Sequence, residues 1–181
     1  MPGLIQVVDE YDNPIGTATI AEAQEKSLYH RIARVVLEDE NGNILLQKRT
    51  MQKGTYPGCW DNSAAGHVDA GESYEVAAAR ELKEELGIEV ALTERGKYAK
   101  NFVYKEAGKP DKALNRFHAV YSATIPHDTK FTLQAEEVDE VKWFTVDEIK
   151  GMLKNSPEII TQGVGDVMER YYENYGDSAA G

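Results

Sequence analysis

GHVDAGESYEVAAARELKEELGI, residues 66–88, combines a glycine-rich turn with the strongest helix signal in the chain. From Ser73 to Leu86 nearly every residue is a good helix former. Ser73 is an N-cap residue type, and Gly87 suits the left-handed position that ends many helices. The sequence therefore predicts a helix over residues 73–86 that follows directly on a turn.

The side chains of this helix divide into two groups on a helical wheel. One group is apolar and is predicted to face the core: Val76, Ala79, Leu82 and Leu86. Glu81, Glu84 and Glu85 form the other group, because residues three and four apart are neighbours on a helix. That spacing alone is also typical of a solvated acidic face. The three glutamates could instead bind a hard cation such as Mg²⁺ or Mn²⁺, because these ions prefer oxygen ligands.

The wider pattern around the glutamates favours the metal-binding interpretation. It specifies nine positions, all present without a departure: Gly66, Glu72, Arg80, Glu81, Leu82, Glu84, Glu85, Gly87 and Ile88. This pattern is the Nudix box, and the chain resembles the Nudix hydrolase superfamily over roughly residues 4–175. The resemblance implies an α/β/α sandwich with a mixed β-sheet, in which the box (66–88) forms a loop–helix–loop.

The resemblance also implies roles for individual residues. Metal ligands would be Glu81, Glu84 and Glu85, with the backbone carbonyl of Ala65 as a further candidate. Arg80 would orient the carboxylates, and Glu72 would either brace the loop against the helix or join a second metal site. A water molecule would attack one phosphorus of a diphosphate. Its proton would go to a glutamate of the box or to Glu136 or Glu137 of a later loop, for which an exposed loop end is the alternative interpretation.

The flanking sequence resembles one branch of this superfamily, that of isopentenyl-diphosphate isomerase. The similar segments are Val7–Glu10, Asn13–Gly16, Leu28–Arg31, Leu46–Arg49, Pro57–Ser63 and Gly66–His67. By this resemblance Arg49 and Lys53 would hold a diphosphate, as two cations beside an acidic site would suit. His30 and His67 are candidate metal or phosphate contacts, although packed histidines are the commoner case. Tyr56 and Trp60 are candidates for stacking on a base or lining a pocket.

The residues of the isomerase reaction are nevertheless missing. The isomerase needs a cysteine directly before the glycine and histidine that Gly66 and His67 match, and here Ala65 stands there. Cys59 lies six residues earlier. The positions of two later glutamates align approximately with Leu114 and Arg116, and the earliest metal-binding histidine falls near Ala23. We therefore expect a hydrolase, with the isomerase and a non-catalytic nucleotide-binding module as the alternatives.

The expected function is Mg²⁺- or Mn²⁺-dependent cleavage of a diphosphate bond in a nucleoside diphosphate derivative or similar small molecule. With 181 residues, one cysteine and a net charge of −11, the chain is expected to be a single cytoplasmic domain. The negative charge disfavours nucleic acid polymers as partners. No stretch approaches the roughly 20 apolar residues of a membrane span. An N-terminal hairpin extension, about 4–27, is a candidate homodimer element.

Periodicity and turn residues predict a mixed α/β order for the rest of the chain. Strands are expected at residues 5–8, 15–19, 32–37, 44–48, 98–104, 116–123 and 138–144. Further helices are expected at residues 20–27, 145–153 and about 157–175. Residues 50–71 are expected to form a long functional loop, and 106–112 a polar one.

Overall fold

The computed structural model describes residues 3–105, 108 and 111–172, except for the side chain of Lys112. This part of the chain contains nine strands, four α-helices and one short 3-10 helix. The strands are β1 Ile5–Val8, β2 Pro14–Ala18, β3 His30–Glu38, β4 Ile44–Arg49, β5 Trp60–Asp61, β6 Ala64–His67, β7 Thr93–Tyr104, β8 Lys112–Thr124 and β9 Val138–Phe144. The helices are α1 Ile20–Glu25, α2 Tyr74–Leu86, α3 Val146–Asn155 and α4 Gln162–Tyr171, with the 3-10 helix at Pro157–Ile159. None of these helices is long and apolar enough to cross a membrane.

Strand β3 is the centre of the sheet. It pairs in parallel with β8 along its whole length, from His30 opposite Arg116 to Glu38 opposite Thr124. It pairs antiparallel with β4, β6 and β1, and β1 carries the β1–β2 hairpin at one edge. The sheet is therefore mixed, and the predicted N-terminal hairpin continues it.

The two faces of the sheet carry separate hydrophobic cores. Helix α2 covers one face, where Val35 packs with Leu82 and Leu86. Helices α3 and α4 cover the other, where Val36 packs with Ile149 and Val167. Neighbouring residues of a strand point to opposite faces. The result is the α/β/α sandwich expected from the sequence.

Helix α2 has the predicted ends. The Ser73 side chain accepts a hydrogen bond from the backbone N–H of Val76 at 3.2 Å. Gly87 has φ of 71° and closes the last turn through its N–H to the carbonyl of Lys83. These caps depend only on local sequence, which explains why they could be predicted.

The predicted core face of α2 is confirmed for Leu82 and Leu86 but wrong for Val76 and Ala79. Val76 is 54% exposed and Ala79 is also exposed, whereas the buried residues are Tyr74, Ala77, Ala78, Leu82, Glu85 and Leu86. Small alanines let the helix approach the sheet closely, so the buried stripe follows Ala77 and Ala78 rather than the larger Val76. One of the three clustered glutamates, Glu85, is therefore part of the buried face.

Two other predictions needed correction. The expected loop at 50–71 contains the short strands β5 and β6. The expected helix at 157–175 is broken near Thr161, whose hydroxyl donates to Asp61 Oδ1 at 2.8 Å while its N–H bonds to the carbonyl of Trp60. These contacts join segments a hundred residues apart, so no local pattern predicts them. Residues 173–175 and most of the predicted loop 106–112 lie outside the described residues.

Candidate active site

A cavity of about 570 Å³ opens beside helix α2 and extends across the sheet to the start of α4. Nine of the residues singled out in the sequence line it: Arg49, Lys53, Tyr56, Ala65, His67, Glu81, Glu84, Glu85 and Glu137. His30, Glu72 and Arg80 do not line the cavity but contact residues that do. The nine lining residues therefore come from α2, β4, β6 and two loops, which join β4 to β5 and β8 to β9.

Arg80 joins the glycine-rich loop to helix α2. Its Nε and Nη2 donate to the two carboxylate oxygens of Glu72, each at 2.9 Å. Its Nη1 donates to Glu81 Oε1 at 2.7 Å, and Nη2 also donates to the carbonyl of His67 at 3.0 Å. Glu72 in turn accepts the N–H of Asp69. In this arrangement Glu72 has the contacts of a brace, and Arg80 orients Glu81.

Replacing Arg80 by lysine tests this connection. Lysine keeps the charge but cannot donate in several fixed directions at once. We expect kcat to fall about tenfold or more, as is usual when charge-assisted hydrogen bonds to a positioned group are lost. Steady-state kinetics would measure the loss. Arg95→Lys is the matched control, because Arg95 lies outside the cavity lining, where it forms a 3.9 Å ion pair with Glu38 and stands over the Tyr172 ring. Equal kinetics for both variants would contradict a positioning role for Arg80.

The carboxylate of Glu81 lies against the backbone of Gly66. A Cβ atom at position 66 would sit 2.0 Å from Glu81 Cδ. Burial raises the pKa of Glu81, and the negative charge of Glu84 adds to this. Gly66 thus leaves space for a carboxylate that is held away from water.

Glu85 is the most buried of the three glutamates, with 4% of its surface exposed. Its Oε2 accepts hydrogen bonds from Gln47 Nε2 at 2.7 Å and from the N–H of Ala65 at 3.2 Å. Burial, followed by the negative charge of Glu81, raises the pKa of Glu85 to about 8. Neither of its two hydrogen-bond donors carries a charge, so little offsets the cost of desolvating this carboxylate.

These observations fit a divalent cation, although the three carboxylates are not gathered around one point. Among the described residues no three His, Cys, Asp or Glu side chains form a metal-holding group. Glu84 is exposed and reaches Arg80 Nη1 only at 3.4 Å. The half-buried carboxylate of Glu81 and the buried one of Glu85, both with raised pKa values, nevertheless form the kind of site that a hard cation stabilises. Glu81 and Glu85 are its inner candidates and Glu84 its outer one.

Two cations line the same cavity as these carboxylates. Arg49 donates to the Thr55 carbonyl at 3.0 Å and to Asp61 Oδ2 at 3.1 Å. Lys53 Nζ is bonded to the carboxylate of Glu137. Burial, followed by the charge of Arg49, lowers the pKa of Lys53. Glu136 is exposed and does not line the cavity, so Glu137 is the better placed of the two general-base candidates.

The aromatic and histidine candidates differ in position. The Tyr56 ring lies 5.4 Å from the Tyr104 ring, and both line the cavity. Trp60 instead packs on Phe144 in the α3–α4 core. His30 is fully buried: its Nδ1 lies 2.9 Å from the Leu28 carbonyl, and its Nε2 accepts from Arg116. Both nitrogens of His30 are thus engaged within the protein, so it acts on the cavity through Arg116 and through its ring, which stacks on His67.

The positions at which an isomerase has its catalytic residues lie in the cavity wall, but other types of side chain occupy them here. Ala65, Leu114 and Arg116 all line it. Cys59 lies outside the lining, and its thiol bonds to the Glu158 carbonyl at 3.3 Å. Burial raises the pKa of this thiol. No described residue of the lining supplies a thiol.

The lining includes candidate functional residues that the sequence did not predict. Arg34 and His118 line the cavity, and so does Arg116, which was considered only as an isomerase position and not as a cation. The available signal was Arg34 itself, a charged residue inside the otherwise apolar strand IARVVL. Charged residues are seldom buried without a partner or a function.

Comparison with known proteins gives consistent matches. The family model for the NUDIX domain matches residues 28–162. An isopentenyl-diphosphate Δ-isomerase from Photorhabdus laumondii is 33% identical over 162 residues, covering 89% of this chain and 88% of that protein. An uncharacterized Nudix hydrolase from Pseudomonas aeruginosa is 42% identical over 142 residues, covering 77% of each. A crystal structure from Deinococcus radiodurans superposes with a TM-score of 0.75 at 20% identity, covering 93% of this chain and 99% of that one.

Proposed function

Since the chain belongs to the Nudix superfamily, in the branch shared by Nudix hydrolases and isopentenyl-diphosphate isomerases, we propose that it is a Mg²⁺- or Mn²⁺-dependent pyrophosphohydrolase. The substrate is a nucleoside diphosphate derivative or a similar small diphosphate. The observation that carries this proposal is the pair of carboxylates with raised pKa values, half-buried Glu81 and buried Glu85, in the same cavity as the cations Arg49 and Lys53. Such a cavity suits a diphosphate together with a divalent cation.

Different residues of the chain have different roles in hydrolysis. Arg49 and Lys53 bind phosphate oxygens, and Arg80 keeps Glu81 oriented. Glu137, or a glutamate of the box, accepts the proton of the water molecule that attacks phosphorus. When bound, a divalent cation would lower the pKa of that water and neutralise charge on the phosphate oxygens.

The isomerase alternative receives less support from the same cavity. Double-bond movement needs groups that deliver and remove a proton at carbon. Ala65 and Leu114 have no ionisable proton, and Arg116 keeps its own at neutral pH because its pKa is about 10. A cation at the inner end of the cavity is also a poor neighbour for an apolar prenyl chain.

A diphosphate panel tests the proposal. Nucleoside diphosphates, nucleotide sugars, dinucleoside polyphosphates and prenyl diphosphates are each incubated with Mg²⁺ or Mn²⁺, and phosphate is measured with and without added phosphatase. We expect turnover of at least one nucleoside compound, and its complete loss on chelation with EDTA. No turnover of any compound, together with tight nucleotide binding, would instead favour the non-catalytic module.

A further inference from the structure

Two arginines stand at the inner end of the cavity, on the face of the sheet that α4 covers. Arg34 lies in β3 and Arg116 in β8, and both line the cavity. A Cβ at Gly163, in the first turn of α4, would sit 2.3 Å from Arg34 Nη1. Arg34 is therefore packed directly beneath the start of α4.

Both guanidinium groups are held in place by histidines. Arg34 Nε donates to His118 Nδ1 at 3.2 Å, and Arg116 Nε donates to His30 Nε2 at 3.2 Å. These bonds fix the planes of the guanidiniums through Nε and leave the terminal nitrogens for other contacts. Arg34 Nη1 is 3.7 Å from Asp61 Oδ1, and within the described residues no carboxylate is paired with Arg116.

The positive charge at this end is poorly compensated. Burial, followed by the charges of Arg34 and Arg49, lowers the pKa of Arg116 to about 10. Asp61 pairs with Arg34 but is shared with Arg49, and Asp166, which also lines the cavity, is paired with Lys100. Buried charges of one sign are costly unless an opposite charge completes the site.

A second observation identifies a missing acceptor. Because His118 accepts from Arg34 at Nδ1, the proton of its neutral ring is on Nε2. That Nε2 is buried without a hydrogen-bond partner among the described residues. Burial, followed by the charges of Arg34 and Arg116, lowers the pKa of His118 well below its usual value, so the ring is neutral. An unpaired buried donor beside two arginines calls for an oxygen acceptor.

Arg49 connects this cationic end to the carboxylate end. It shares Asp61 with Arg34, and its charge acts on both Lys53 and Arg116. The wall beside Arg116 is aromatic: its guanidinium lies 5.7 Å from the centre of the Phe102 ring, and Tyr56 and Tyr104 also line the cavity. The cavity thus offers Lys53 and Arg49 to a diphosphate and two further cations, Arg34 and Arg116, to a second anionic group.

We propose that Arg34, Arg116 and His118 form a second anion subsite, which binds a phosphate monoester or carboxylate that the substrate carries in addition to the diphosphate. The inference deepens the proposed function and rests on it only for the position of the diphosphate. It selects, among small diphosphates, those with a second anionic group, and it disfavours prenyl diphosphates, whose far end is apolar.

Equilibrium binding to the full chain in EDTA tests the subsite without catalysis. Two matched pairs of probes separate the two sources of anion. UDP-glucuronate is compared with UDP-glucose, which lacks the carboxylate, and adenosine 3′-phosphate 5′-diphosphate is compared with ADP, which lacks the monoester. We expect the charged member of at least one pair to bind about tenfold tighter or more, as one charge-assisted contact provides.

Arg116→Gln should reduce that preference to less than threefold while leaving the neutral probes nearly unchanged. The variant removes an uncompensated buried charge, so it is expected to melt no lower than the wild type. Arg116→Lys should retain part of the preference, and Arg95→Gln, outside the cavity, should retain all of it. A wild type with no preference in either pair, or a preference that survives Arg116→Gln, overturns the subsite. Hydrolysis of UDP-glucose or ADP in Mg²⁺ would then still leave the proposed function standing.

Discussion

Glu84→Gln and Glu85→Gln are each expected to reduce metal-dependent phosphate release roughly a thousandfold, the usual range when a charged group at the reacting centre is lost. Glutamine keeps the shape of each side chain but removes the negative charge that would hold a cation. The measurement is kcat with saturating Mg²⁺ on whichever compound of the panel is turned over. Glu89→Gln is the control, because Glu89 is an exposed glutamate outside the box, and its ion-pair partner among the described residues is Lys83.

The melting temperature of these variants should not fall with their kcat. Glu85 is buried between Gln47 and the N–H of Ala65, so its charge is costly to the fold. Glutamine at this position has no charge to desolvate, and we expect Tm to stay equal or rise. Glu84 is exposed, and its replacement should leave Tm unchanged. Full activity in both variants, or an equal loss of activity in Glu89→Gln, would contradict the assignment of the carboxylates.

Gly66→Ala is expected to lower kcat about a hundredfold, because an added Cβ forces the Glu81 carboxylate from its place and displacements near 1 Å can have effects of this size. The new atom would meet Glu81 Cδ at 2.0 Å. The carboxylate is the far end of a flexible side chain, so it can rotate away without unfolding the protein. The loss should therefore appear in kcat far more than in Tm.

A glycine elsewhere provides the control for this substitution. A Cβ at Gly151, in helix α3, would meet nothing within 4 Å. Gly151→Ala should keep wild-type kinetics. Wild-type kcat in Gly66→Ala would mean that the position of Glu81 is unimportant for the reaction, and the site would have to be reconsidered.

The fold was predictable where its determinants are local. Ser73 and Gly87 mark the ends of α2 because caps depend on neighbouring residues. The burial of Glu85 was not predictable, since its partner Gln47 lies 38 residues earlier in the chain. The break before α4 likewise depends on the contact of Thr161 with Asp61.

The residues of the candidate site were predictable where they belong to a sequence motif. The box supplied Glu81, Glu84, Glu85, Arg80 and Glu72 by resemblance, and the fold brings the three expected ligands to one cavity. Arg34 and His118 belong to no motif. They meet only because β3 and β8 pair in parallel, with Ile32 opposite His118, and such long-range pairing is not encoded in short patterns.

Hydrolysis rather than isomerisation is the central claim, and labelling with H₂¹⁸O tests it most directly. The protein is incubated with Mg²⁺ and either isopentenyl diphosphate or a nucleoside diphosphate compound, and the products are observed by ³¹P and ¹H NMR. We predict cleavage of the nucleoside compound with one ¹⁸O atom in a product phosphate, and no movement of the double bond in isopentenyl diphosphate. Conversion of isopentenyl diphosphate to dimethylallyl diphosphate, without ¹⁸O incorporation into any phosphate, would contradict the account.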